Sequence, residues 1–142
     1  MIVECIKDRL ANFEPGPVKD VLRKAIRRDE DLNIGIDIGR QYTVYGIFID
    51  KELSMPFYFI CEEDRDAYPL ARSAEFFKII DSKPSSYWRF IYSSKRQGLY
   101  FPEWAEDEYF YGNLIDGKKK EEAIFAKYRK LMDEESRVLA GF

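Results

Sequence analysis

The sequence predicts an α+β fold: a single domain over residues 1–142, with a central, mostly antiparallel sheet of about five strands, N-terminal helices and a long C-terminal helix packed on it. Two observations carry the prediction. The stretch DLNIGIDIGRQYTVYGIFIDKELSMPFYFICEED, residues 31–64, holds three short apolar runs rich in the β-branched and aromatic residues that strands favour. Near the C-terminus, Ile124, Tyr128, Leu131 and Val138 recur at helical spacing, with Phe125, Met132 and Leu139 beside them and Lys and Glu over the remaining face. A chain of 142 residues is long enough to close a core, and no repeat, low-complexity tract or linker divides it.

Taken in order, Ile2, Ile6, Leu10 and Phe13 recur at helical spacing with Val3 beside them, so the first segment reads as an amphipathic helix stopped at Glu14-Pro15-Gly16. Pro17 suits the first turn of a second helix, whose apolar stripe is Val18, Val21, Leu22 and Ala25. Arg23, Lys24, Arg27 and Arg28 gather at its end, where cations suit the helix dipole, and Asp29, Glu30 and Asp31 neutralise much of that charge. Ile34, Ile36 and Ile38 alternate with Asn33, Gly35 and Asp37, the period of a half-buried strand. Residues 42–49 and 57–61 are apolar on both faces and read as central strands. The three runs together predict an antiparallel meander. Ser73 is placed to cap a short helix bearing Phe76, Phe77 and Ile80. Residues 87–92 and 99–101 read as two more strands, and residues 103–117 show neither period. The final helix ends near Gly141.

Composition excludes several kinds of chemistry. With no histidine, Ser-His and Cys-His nucleophilic pairs and His-containing zinc sites are ruled out. Cys5 and Cys61 read as buried free thiols rather than a secreted disulfide framework. A net charge of −3 gives no bulk attraction for nucleic acid. The N-terminus is too charged for a signal peptide, and no stretch is long and apolar enough to span a bilayer, so a cytoplasmic location is expected. The residues call for no cofactor.

Two stretches carry spacings used by metal-dependent enzymes. Residues 33–50, NIGIDIGRQYTVYGIFID, resemble the opening hairpin of actin-like ATPases and ribonuclease H-like nucleases, in which an apolar strand bears an Asp and a Gly before a turn. That resemblance implies a metal-dependent phosphotransfer enzyme or nuclease with Asp37 as a divalent-metal ligand, and with Asp50 as a further acid. Asp81-Ser82-Lys83, with Glu62, Glu63, Asp64 and Asp66 upstream, has the spacing of PD-(D/E)xK nucleases, and Asp116-Gly117-Lys118 repeats it in a turn.

The third candidate is non-catalytic. Between Glu103 and Asp116 there are five acids and no base, interleaved with Trp104, Tyr109, Phe110 and Tyr111. Aromatic side chains supply the desolvated anchors of binding surfaces, and carboxylates speed encounter with a basic partner. Residues 62–66, followed by Tyr68, have the same character. The leading expectation is therefore an acidic binding protein that blocks a basic site on a partner protein, with no direct nucleic acid or membrane contact. Immunity or antitoxin-type inhibitors of nuclease toxins are one such class. Its anchors would be Trp104, Tyr109 and Tyr111, with Glu103, Glu106, Asp107, Glu108, Glu62, Glu63 and Asp64 as charge complements. A third reading is a subunit whose aromatic patches seal a homo-oligomer.

Overall fold

The computed structural model describes residues 1–27 and 29–140, the side chains of 138–140 excepted. Arg28 of the basic cluster, the side chains of Val138 and Leu139 of the C-terminal stripe, and the expected helix end at Gly141 fall outside that description. Among the described residues, eight strands form two antiparallel sheets. The smaller has the order β2-β1-β6, from Gln41–Thr43, Ile2–Cys5 and Phe77–Asp81. The larger has the order β5-β4-β3-β8-β7, from Leu70–Ser73, Met55–Ile60, Gly46–Asp50, Gln97–Tyr100 and Arg89–Tyr92. The helices are α1 (Pro17–Ala25), α2 (Pro102–Glu106), α3 (Phe110–Ile115) and α4 (Lys119–Ala140). The α+β class and the five-stranded antiparallel sheet agree with expectation, and so do α1 and the long α4. Phe125, Tyr128 and Met132 of α4 are buried, with Ile124 and Leu131 half-buried beside them.

The N-terminal segment is a strand, not a helix. Ile2, Val3 and Cys5 are buried in β1, which is paired on both sides, whereas Ile6, a member of the expected helical stripe, is exposed. A four-residue spacing satisfies both periods over so short a window, and pairing with β2 and β6 decides between them. Leu10 and Phe13 are still buried, flanking a 3₁₀ turn at Leu10–Asn12.

The expected meander is also redrawn. Residues 33–39 form a loop rather than a strand. The Asn33 side chain accepts from the Gly35 and Ile36 N–H groups and donates to the Ile36 carbonyl, satisfying locally the backbone that a strand partner would otherwise bind. Gly35 and Gly39 have φ of +99° and +89°, so the chain turns twice, while Ile34 and Ile36 remain core residues. The run at residues 42–49 serves both sheets in succession. Val44 N–H bonds the Met1 carbonyl beside β1, and Tyr45 N–H bonds the Phe59 carbonyl of β4. Both side chains are buried at this crossing.

Ser73 caps a turn as expected, its Oγ accepting from Glu75 N–H, but the turn is a 3₁₀ piece at Ala74–Phe76 that leads at once into β6. β7 and β8 form a hairpin. In it Gly98 faces β3, where a Cβ would stand 2.0 Å from the Ile47 carbonyl oxygen.

Candidate functional site

Residues 103–117, without period in the sequence, hold most of α2 and all of α3. Helices of five and six residues are too short to display a stripe. Pro102 starts α2. The Arg96 guanidinium, from the β7–β8 turn, closes its far end by donating to the Trp104 and Ala105 carbonyls at 3.0 and 2.9 Å. Asp107 then caps the next turn, its Oδ1 accepting from Tyr109 N–H at 2.9 Å. Two bonded turns therefore hold Glu106, Asp107, Glu108 and Tyr109 as a fixed acidic corner.

Trp104 is not an anchor at that corner. It is 2% exposed and meets the rings of Phe59, Tyr100, Phe101 and Phe110, with Tyr111 stacked on it at 5.5 Å. Gly46 of β3 leaves the space its indole occupies. A side chain already spent on the core has no surface to offer a partner. Tyr111 is half-buried and donates its hydroxyl to the Pro69 carbonyl at 2.6 Å, and burial pushes its phenol up to about 12. Its role is to tie α3 to the strand ahead of it. Glu103 is likewise engaged, accepting from the Tyr128 hydroxyl at 2.8 Å with Lys127 Nζ at 4.0 Å. Tyr109 alone among the expected aromatics stands out, 67% exposed. The adjacent Glu108 carboxylate holds its phenol above the ordinary range. Glu108 also faces Lys95 at 3.3 Å, while Glu106 is exposed with no described cation against it.

The second acidic loop, residues 62–66, is largely neutralised. Glu62 is ion-paired with Arg72 and fills the space that the absent Cβ of Gly35 leaves. Glu63 meets Arg65 at 2.8 Å, and Asp64, fully exposed, is 3.9 Å from Arg40. Arg129 of α4 donates to the Asp66 and Glu63 carbonyls at 2.8 and 3.2 Å. Glu103, on the other acidic segment, reaches Lys127 of the same helix. Both acidic segments thus meet α4, the 62–66 loop through Arg129 and Glu103 through Lys127 and Tyr128.

The enzyme-like spacings find no shared site. Asp37 lies on the loop that replaces the expected strand, exposed and 3.7 Å from Arg40, so the hairpin on which the resemblance rested does not form. Asp50 accepts from Leu53 N–H within the β3–β4 turn. Asp81 ends β6 and accepts from Lys83 N–H, which bends the two residues back on each other. Among the described residues no three acidic or cysteine side chains cluster as metal ligands. Cys5 and Cys61 are buried, unbridged thiols, pushed up by burial to about 11 and about 12.

Sequence reasoning missed two features. One is a cavity of about 310 Å³ between α4 and β2, where Arg40, Arg129 and Arg137 line the same space as Asp64 and Asp133, and Tyr45 donates to Asp133 at 2.7 Å. These residues are scattered through the chain, so no motif announces them. The other is the pair Phe90 and Tyr92 on β7, exposed although they sit in a strand of aromatic and β-branched residues. No described helix is long and apolar enough to cross a membrane. Compared with known proteins, the chain matches no family model, no curated protein and no solved structure.

Proposed function

We propose that the chain is a non-catalytic binding protein whose acidic corner covers a basic site on a partner protein, in the manner of an immunity or antitoxin-type inhibitor of a nuclease toxin. The observation that carries this reading is Tyr109, exposed between Glu108 and the start of α3, on a corner held rigid by Arg96 and Asp107. A rigid aromatic flanked by carboxylates binds at low ordering cost, and the carboxylates steer a cationic surface toward it. Glu106, Asp107 and Glu108 supply the charge, Tyr109 the anchor, and the blockade is steric and electrostatic. Glu103, Trp104 and Tyr111 support the corner from behind rather than touching the partner.

The test is affinity capture from the native cell's lysate at low salt, with Glu106, Asp107 and Glu108 all changed to Lys in a parallel sample. A basic protein retained by the wild type and released by the variant, with binding that weakens as salt is added, supports the proposal. Capture of nothing, or of the same proteins by both, overturns it. Tyr109→Ala should then cost about 2 kcal/mol of affinity for the captured partner.

A further inference from the structure

β7 (Arg89–Tyr92) is the outer strand of the five-stranded sheet, bonded to β8 on one side only. Its ladder phase follows from the turn. Ser93 N–H bonds the Arg96 carbonyl at 2.8 Å, so Ser93, Ile91 and Arg89 direct their backbone groups toward β8. By the alternation of an antiparallel strand, Phe90 and Tyr92 direct theirs outward, and no described residue bonds them there. The same two residues carry large apolar side chains that are 68% and 73% exposed. They lie on one face, which continues inward, since Phe90 is opposite Leu99 and Leu99 opposite Ile47.

Edge strands are ordinarily blunted by charge, bulges or brevity. Among the other sheet edges, β2 has three residues, β6 has a register shift and an ion-paired Lys78, and β5 carries the Arg72–Glu62 pair. β7, four residues long with Arg89 at its start, has no proline and no bulge; both of its outward-facing positions are aromatic, with Lys51 Nζ 5.0 Å from the centre of the Tyr92 ring.

We infer that β7 pairs with β7 of a second copy of this chain, antiparallel about a two-fold axis at Ile91, joining two five-stranded sheets edge to edge. The strand's own residues select this occupant and this register. With Ile91 opposite Ile91 of the second copy, Phe90 faces Tyr92 and Tyr92 faces Phe90. Both pairs exchange backbone bonds, and both set aromatic against aromatic. Arg89 then faces Ser93, so the strand's cation avoids its copy. Moving the axis to Tyr92 sets Arg89 against Lys95, a like-charge pair. Moving it to Phe90 sets Tyr92 against Trp88, which is buried and held by its indole N–H to the Tyr45 carbonyl. The pairing rests on β7 alone and does not depend on the acidic corner.

The test is disulfide trapping together with a concentration series in analytical ultracentrifugation. Ile91 would stand in a non-hydrogen-bonded pair with itself, with Cα atoms about 4.5 Å apart, within reach of a disulfide. Ile91→Cys should therefore cross-link on mild oxidation, while Phe90→Cys, more than about 7 Å from its copy, should not. The buried native thiols leave the wild-type control uncross-linked. Tyr92→Lys, at an exposed position that leaves the fold intact, should weaken the dimer about tenfold, because it removes an aromatic pair twice. A wild type that stays monomeric to millimolar concentration overturns the inference. So does a dimer in which Phe90→Cys cross-links and Ile91→Cys does not, or in which Tyr92→Lys changes nothing.

Discussion

Replacing Trp104 by alanine separates a core role from a binding role more sharply than any other single change. The indole is 2% exposed and sits among five aromatic rings over Gly46. An aromatic side chain of this size buries about 150–250 Å², which at about 25 cal/mol per Å² is a loss of roughly 4–6 kcal/mol. The methyl group that remains recovers a little, partial collapse recovers more, and measured Trp→Ala changes in cores cluster at about 3–5 kcal/mol. Set against a total stability of about 5–15 kcal/mol, that is a large share. For a chain of this length it corresponds to a fall in Tm of about 10 °C or more. Trp104→Phe keeps a ring in the cluster and should cost less, about 1–2 kcal/mol. Tyr109→Ala, at an exposed position, should stay within about 0.5 kcal/mol. Urea unfolding followed by circular dichroism measures all three. A Trp104→Ala protein within about 1 kcal/mol of wild type would refute the packing argument and return the indole to the surface as a binding anchor.

Other outcomes follow from the same structure. Gly98→Ala places a Cβ 2.0 Å from the Ile47 carbonyl oxygen, so it should destabilise by about 3 kcal/mol or more and detach β8 from β3, read as lost amide-exchange protection on both strands. Burial pushes the phenols of Tyr100 and Tyr111 and the Cys61 thiol up to about 12, from ordinary values of 10.0 and 9.0. These groups hold their protons more tightly when folded, so their stabilisation is complete below about pH 9 and falls away as pH climbs toward 12; tyrosinate absorbance should appear together with unfolding. Glu135 is pushed up by burial, but the Ser86 and Ser85 groups bonded to it and the nearby N-terminal charge bring its pKa below the ordinary 4.5. Its contribution is present above pH 4.5 and lost as pH falls through the folded value, so Glu135→Gln should flatten acid unfolding and cost stability at neutral pH, checked by thermal melts across pH.

Legibility in the sequence followed the length of each element. α4 was readable because its 22 residues repeat one stripe often enough to exclude a strand. The β3–β4 hairpin was readable because β-branched and aromatic residues crowd both sides of a polar turn. Residues 2–13 were misread because Ile2, Ile6 and Leu10 satisfy either period. Residues 34–38 were misread because Asn33 and two left-handed glycines outweigh an alternating trio of isoleucines. The run of carboxylates at residues 103–108 is plain in the sequence, but the side chains around it divide by orientation, which composition does not encode. Trp104 and Tyr111 turn inward while Tyr109 turns outward.

By itself, then, the sequence determined the α+β class, the antiparallel sheet, the helices α1 and α4 and the absence of histidine chemistry. All of these depend on local periodicity or composition. Tertiary structure alone decided that the strands divide into two sheets, because Val44 and Tyr45 pass from one partner strand to the next. It also decided which carboxylates are spent on cations and which face water, because Arg72, Arg40, Lys95 and Lys127 reach their partners from other elements. Last, it decided that β7 lies at an edge. In the middle of the sheet the same four residues would have had both ladders satisfied, and their place at the rim is set by which strands pair with β8 and β3.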